Sequence, residues 1–191
     1  MSFNKLVLLM LFVVPMTTQG QSKIKPKDSV DIKNQIEGFY SWYIDIIKTR
    51  KLEKGFNPSF VGQEDGMTTL DFKNYRDGLR RYKFTENYIE RKIKDYKECV
   101  DNLKNIPFAK FSQYTGLDEF ENIMCDFSNR YEWTGGQEPV DKAELLNLKP
   151  SDNNSIVGQV RFTSYGSTYG TAKVTFIKIK KFWGVDNIQL E

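Results

Sequence analysis

The residue types of this chain leave few ways to carry out chemistry. It contains no histidine, which is the usual general base near neutral pH, the commonest zinc ligand and the partner of serine or cysteine nucleophiles. The acid–base option that is left is an aspartate beside a tyrosine hydroxyl, for which Asp186 is the candidate. No spacing pairs Asp186 with a tyrosine. The sequence therefore predicts a protein that is not an enzyme and uses neither a cofactor nor a metal ion.

A second candidate site is aromatic. Residues 39–43 (FYSWY) combine bulky rings with two hydroxyl groups, and Trp183 lies near the other end of the chain. Together, Tyr40, Tyr43, Trp183 and Asp186 could line a ligand pocket between a first helix and a sheet. The other interpretation is core packing, since aromatic side chains contribute most to burial in small domains.

Cys99 and Cys125 are the two cysteines of the chain. In an oxidising compartment an isolated pair is a candidate disulfide. A bridge between them would close the loop from Cys99 to Cys125. In the chain-entropy model this stabilises the protein by about 3 kcal/mol. The alternative is two buried thiols, because free cysteine packs as a small apolar residue. Both interpretations stay open at this point.

The beginning of the chain has the pattern of an export signal. Lys5 is followed by an apolar run over residues 6–16. Thr18 and Gly20 place small residues at the −3 and −1 positions of a cleavage site after Gly20. The run is shorter than the roughly 20 residues that a membrane-spanning helix needs, and no cysteine follows it as a site for lipid attachment. We therefore expect a signal peptide over residues 1–20 and a periplasmic or secreted protein with no stable membrane anchor after cleavage.

The remainder is predicted to be one domain. Residues 21–29 are polar and predict a short N-terminal tether, and residues 30–191 have the length of a single α+β domain. The formal net charge of the full chain is only +3. Nucleic-acid binding normally needs a concentrated basic face, so no nucleic-acid partner is expected.

Helical periodicity dominates the first half of the chain. Apolar residues recur three and four positions apart over residues 29–51 and again from Thr85 to Pro107. Between these helices, residues 54–67 are rich in glycine and predict a loop. Thr68 to Asp71 reads as the capping signal of a short helix that ends near residue 82.

The pattern changes to alternation after Pro139. Strands are predicted over residues 144–149, 155–165, 168–180 and 182–190. Helices followed by an antiparallel meander predict an α+β fold in which N-terminal helices pack on one face of a C-terminal antiparallel sheet.

Four segments carry a family resemblance: residues 36–43 (IEGFYSWY), 84–89 (FTENYI), 125–138 (CDFSNRYEWTGGQE) and 180–188 (KKFWGVDNI). Together they resemble the domain-of-unknown-function family 3828 of exported bacterial proteins over about residues 30 to 190. The family is related to periplasmic immunity proteins against amidase toxins, and its fold is similar to the cystatin-like cone of nuclear transport factor 2. The segment from Cys125 to Glu138 has fewer acidic residues than the family pattern.

The resemblance implies an exported protein that works by binding another envelope protein or an incoming toxin protein. An exposed loop would then plug the partner's cleft, and residues 54–67 and 126–139 are the candidate loops. Two alternatives from other classes stay open: a small-molecule carrier that uses the aromatic pocket, and a histidine-free enzyme. The enzyme would need a buried carboxyl group of raised pKa beside a tyrosine in an open pocket.

Overall fold

A computed structural model of the chain describes residues 23–49, 57–127, 131–136, 138–152 and 154–191. The predicted signal peptide lies outside these residues. The elements are, in order, α1 (Pro26–Thr49), β1 (Ser59–Gly62), β2 (Thr68–Asp71), α2 (Lys73–Arg81), α3 (Glu86–Asp95), α4 (Lys97–Leu103), α5 (Phe108–Phe111), α6 (Leu117–Asn122), β3 (Lys142–Pro150), β4 (Ser155–Ser164), β5 (Ser167–Ile179) and β6 (Phe182–Leu190). The predicted α+β class is confirmed, with α1 packed against an antiparallel sheet.

The helix α1 buries the predicted apolar stripe. Its buried side chains include Ile32, Ile36 and Phe39, which recur three and four residues apart. The helix begins at Pro26, inside the range that the sequence predicts as a tether, so residues 26–29 form its first turn. Proline suits this position because it has no backbone N–H to leave unpaired. No helix within the described ranges is both long enough and apolar enough to cross a membrane.

The main sheet is a meander in the order β3-β4-β5-β6, and every neighbouring pair is antiparallel. The alternation predicted for residues 155–165 is confirmed, because Ile156, Val160 and Phe162 are all buried. The turn into β5 is made by Tyr165 and Gly166, whose φ angles of 49° and 77° are both positive. Two positive φ angles match the right-handed twist of a tight hairpin.

The middle of the chain differs from the prediction. Residues 59–62 were expected in a loop and Thr68–Asp71 at a helix start, yet they pair as the antiparallel hairpin β1–β2. The reason lies in side chains that suit a half-buried strand: Phe60 packs against the core and Leu70 is buried. At the tip of the hairpin, Gly66 has a φ of 81°, which favours glycine. The short helix follows one residue beyond Phe72 as α2.

The helix predicted from Thr85 to Pro107 is divided. Thr85 caps α3 as its sequence position suggests, and its side chain accepts a hydrogen bond from the Tyr88 backbone N–H at 3.0 Å. The helix stops at Tyr96 and resumes as α4, which carries Cys99. Cys99 and Cys125 form a disulfide, which joins α4 to the segment after α6.

Candidate functional site

Tyr40 and Tyr43, the helical half of the predicted pocket, lie inside the core. Tyr40 is fully buried and meets the rings of Phe39 and Phe162 edge-on. Its hydroxyl has no hydrogen-bond partner in the described part of the chain. Tyr43 stacks on Phe39 at 6.2 Å between ring centroids and meets Trp133 edge-on at 5.2 Å. Aromatic rings therefore surround both of these tyrosines.

Trp183 and Asp186 lie elsewhere. The ammonium of Lys178 stands 4.6 Å from the centre of the Trp183 ring and also pairs with Asp28 at 3.1 Å. Burial raises the pKa of Asp28, but the Lys178 ammonium, which donates a hydrogen bond to this carboxylate, acts in the opposite direction, and that pKa lies below its ordinary value. This contact fixes the first turn of α1 to the sheet.

Asp186 has a structural role in these surroundings. Its carboxylate accepts a hydrogen bond from the Thr85 hydroxyl at 2.6 Å, and its backbone carbonyl accepts one from Arg91. It thereby holds the start of α3 against β6. Because the predicted lining residues Tyr40, Tyr43, Trp183 and Asp186 occupy separate surroundings, they do not form the pocket that the sequence suggested.

A different site is built on a tight turn at residues 131–136. The backbone N–H groups of Thr134 and Gly135 both donate to the Tyr131 carbonyl, and the Tyr131 N–H donates to the Gly136 carbonyl. Gly135 has a φ of 78°, and a side chain there would come within 2.8 Å of Leu190. The glycine pair 135–136 closes this turn, and the following residue 137 lies outside the described ranges.

Trp133 anchors this turn in the core. It is 1% exposed, its ring meets Phe39 and Tyr43 edge-on, and its indole N–H donates to the Tyr88 hydroxyl at 3.0 Å. With Trp133 fixed inward, the preceding residue, Glu132, points toward α2 and α3. One buried ring thus positions a carboxylate.

Glu132 collects three polar partners from two helices and the break between α3 and α4. The hydroxyls of Tyr75 and Tyr96 donate to its carboxylate at 3.3 Å and 3.4 Å, and the ammonium of Lys92 lies at 2.9 Å. Lys92 also pairs with Asp95 at 2.8 Å. The Glu132 side chain is 21% exposed, so solvent reaches it from one side.

The electrostatics of this group follow from partial burial. Burial raises the pKa of Glu132, with the ammonium and the hydroxyl of Tyr75 acting in the opposite direction. Burial alone would lower the pKa of Lys92, but the carboxylates of Glu132 and Asp95 together outweigh it and raise that pKa. Burial and the Glu132 carboxylate raise the pKa of Tyr75 and Tyr96. Lys92 is therefore charged at neutral pH, and the phenols of Tyr75 and Tyr96 stay protonated.

Glu132 lies at the wall of an open cleft of about 480 Å³, which we call the Glu132 cleft. Its lining combines charged and apolar residues: Lys92, Asp95, Tyr96, Glu98, Met124, Asp126, Phe127, Tyr131, Glu132, Gly135 and Leu190. Two apolar members are strongly exposed, Met124 at 54% and Leu190 at 39%. Concave surfaces of mixed apolar and polar character are typical of binding sites.

The disulfide frames one side of the Glu132 cleft. Glu98 precedes Cys99, and Met124 and Asp126 flank Cys125, so the bridge fixes three lining residues at once. The described residues contain no group of three or more acidic or cysteine side chains placed to hold a metal ion. The carboxylates of the cleft are therefore not arranged as metal ligands.

The sequence does not predict this site. Residues 126–139 are predicted to be a loop that could plug a partner's cleft, whereas the described part of that segment walls a cleft of this chain. The other candidate loop, residues 54–67, is described from residue 57 onward and forms much of the β1–β2 hairpin. A local signal did exist: Glu132 stands between two aromatic residues and just before a glycine pair.

Comparison with known proteins adds no identity. The sequence matches no family model, no curated protein and no solved structure. The resemblance to family 3828 and the cone-shaped fold that it implies therefore stay predictions.

Proposed function

We propose that this chain is a non-enzymatic, exported binding protein and that it binds another protein through the Glu132 cleft. The observation that carries the proposal is the composition of that cleft: exposed Met124 and Leu190 stand beside fixed carboxylates in a concavity of about 480 Å³. Protein surfaces that combine apolar contact area with oriented charges at a concave site favour specific partners.

The Cys99–Cys125 disulfide supports the exported part of the proposal. Disulfides persist in oxidising compartments such as the periplasm and are rare in the bacterial cytoplasm. The bridge lies at the cleft itself. The binding surface is therefore complete only in a compartment where the disulfide can form. The apolar run at residues 6–16 points to the same compartment.

The histidine-free enzyme has one supporting observation, the raised pKa of Glu132 beside two phenols at an open cleft. Its weakness is that Lys92 already pairs with that carboxylate and that the phenol protons are held tightly. Lys92 and the two phenols therefore keep their protons near neutral pH. The carrier is weaker still, because the tyrosines of its expected pocket are packed among rings.

The test compares capture of envelope proteins by two matched variants. Met124 and Tyr165 are both exposed and both have positive φ angles, of 57° and 49°. Asparagine tolerates that conformation, so Met124→Asn removes apolar area from the cleft and Tyr165→Asn removes it from a distant turn. The full chain, expressed in its own host with a tag on a flexible linker, is recovered together with its bound proteins.

We expect a partner that is recovered with the wild-type chain and with Tyr165→Asn but is lost with Met124→Asn. A partner recovered equally with all three chains, or no partner with any of them, would contradict the proposal. Circular dichroism of each chain checks that the variants are folded.

A further inference from the structure

We infer that the Glu132 cleft recognises a basic segment of its protein partner, in which one arginine side chain reaches Glu98 and Asp126 while an apolar neighbour rests on Met124 and Leu190. This inference rests on the proposed function, because it specifies the chemistry of the partner at that same site. Four observations carry it, namely local charge, unpaired carboxylates, the bridge that holds them and exposed apolar area.

The described lining of the cleft has a charge opposite to that of the chain. These residues contain four carboxylates, of Asp95, Glu98, Asp126 and Glu132, and one ammonium, of Lys92. The whole chain has a formal net charge of +3. A cleft lined by one sign of charge concentrates ligands of the other sign, even on a protein of different overall charge.

Lys92 does not neutralise the outer carboxylates. Its ammonium is held by Glu132 at 2.9 Å and by Asp95 at 2.8 Å. Glu98 and Asp126 form no ion pair or side-chain hydrogen bond with any residue that the structure describes. Within the described part of the chain, neither carboxylate has an ion pair that a ligand would have to displace.

The disulfide sets the separation of these carboxylates. The Cα atoms of Cys99 and Cys125 are 4.9 Å apart. Glu98 and Asp126 are each one residue from a bridged cysteine, so their Cα atoms lie within roughly 12.5 Å of each other. Both residues line the same cleft. A guanidinium carries five N–H donors in a plane and can serve two carboxylates.

The apolar residues distinguish a peptide from a small cation. Met124 and Leu190 offer exposed area for a neighbouring apolar side chain. The rings of Tyr96 and Tyr131 also line the cleft, and aromatic faces attract guanidinium groups. An inorganic cation or a polyamine would leave this apolar area uncovered. An anionic ligand would meet a surplus of negative charge.

The experiment uses a defined probe, the peptide acetyl-Leu-Arg-Leu-amide, titrated by calorimetry into the full chain isolated from its host. The control peptide replaces arginine by citrulline, which has nearly the same shape but no charge. We expect the arginine peptide to bind at least about tenfold more tightly than the citrulline peptide, and its affinity to fall as salt is added. Spermidine, a cation without apolar side chains, is expected to bind more weakly than the arginine peptide.

Two double variants with the same change in net charge test whether the arginine peptide binds at the carboxylates of the cleft. Glu98→Gln with Asp126→Asn should weaken binding of the arginine peptide about 10- to 25-fold, from roughly three- to fivefold for each carboxylate. Asp45→Asn with Glu64→Gln removes two exposed carboxylates that do not line the cleft and should change binding less than about twofold.

Equal binding of the citrulline peptide or of spermidine, or equal losses in the two double variants, would overturn the inference. These outcomes are separable from failure of the proposed function. If Met124→Asn loses an envelope partner while the arginine peptide does not bind, the proposed function stands and the basic ligand is wrong. If the peptide binds but no partner depends on Met124, the ligand chemistry stands and protein binding through this cleft is wrong.

Discussion

The aromatic core beneath α1 and the Glu132 cleft are built from the same residue types but treat their hydroxyl groups differently. In the core, Tyr40 is fully buried among rings and its hydroxyl has no described partner. At the cleft, the hydroxyls of Tyr75 and Tyr96 both donate to Glu132. Trp133 joins the two regions, since it packs against core rings and fixes the turn that carries Glu132.

The difference shows what turns a buried aromatic cluster into a candidate site. Burying a tyrosine is favourable through its ring and costs free energy through its hydroxyl unless a partner is supplied. In the core, other rings surround Tyr40 and its hydroxyl has no described partner, so this region is closed. The turn at residues 131–136 supplies a carboxylate, which in turn attracts Lys92 and leaves a polar group at an opening. The Glu132 carboxylate, more than the aromatic residues, creates the site.

The largest expected effect is alkaline unfolding, which breaks both regions at once. Burial raises the folded-state pKa of the five buried tyrosines above the ordinary value of 10.0; these are Tyr40, Tyr43, Tyr75, Tyr88 and Tyr96. Their stabilising contribution is complete below pH 10 and is lost as pH rises toward the folded values. Each phenol then lowers the free energy of unfolding by about 1.4 kcal/mol per pH unit.

Circular dichroism and tyrosinate absorbance, recorded together above pH 10, check this prediction. Ionisation of the buried phenols should coincide with unfolding. Tyr40→Phe has one buried phenol fewer, so its stability should fall less steeply with pH, by about 1.4 kcal/mol per unit. If the buried phenols ionise while the secondary structure is intact, the assignment of their burial is wrong.

The next effect comes from Trp133→Ala, which removes the side chain that joins the two regions. Trp133 is 1% exposed, so we expect a loss of about 3–5 kcal/mol in the free energy of unfolding, measured by urea denaturation. Trp183→Ala is the matched control, because that ring is only partly buried. Trp133→Ala should also weaken binding of the arginine peptide, since the turn that carries Glu132 then loses its anchor in the core. A larger loss for the control would contradict the anchoring role of Trp133.

Breaking the disulfide should affect the cleft and leave the core intact. Cys99→Ser with Cys125→Ser opens a loop whose ends are 26 residues apart, and the chain-entropy model gives a loss of about 3.5 kcal/mol. Binding of the arginine peptide should weaken as well, because Glu98 and Asp126 are no longer held together. Dithiothreitol should reproduce both effects in the wild-type chain and have none in the double variant. Unchanged binding in the double variant would show that the bridge does not form the cleft wall.

The sequence predicted the closed region better than the open one, for a physical reason. The stripe of α1 and the alternation of β4 repeat with a fixed period, so neighbouring residues reveal their burial. The group around Glu132 has no period, because Tyr75 and Glu132 are 57 positions apart and meet only in the fold. The predicted pocket failed for the related reason that an aromatic pattern shows burial but does not show whether space is left.

The smallest effect tests the comparison most directly, because the same substitution should have opposite signs in the two regions. Tyr75→Phe removes a hydrogen bond to a partly buried carboxylate, and we expect a loss of about 1 kcal/mol in the free energy of unfolding. Tyr40→Phe removes a buried hydroxyl that has no described partner, so stability should be unchanged or rise by up to about 1 kcal/mol.

Urea denaturation at neutral pH measures both variants on the same scale. Ring packing is kept in each, so the difference between them reports the hydroxyl groups alone. Equal losses would mean that the Tyr40 hydroxyl has a partner such as an internal water molecule, and the contrast between the two regions would then be wrong. Opposite signs would assign the stabilising hydrogen bonds of the buried tyrosines to the side of the molecule that faces the cleft.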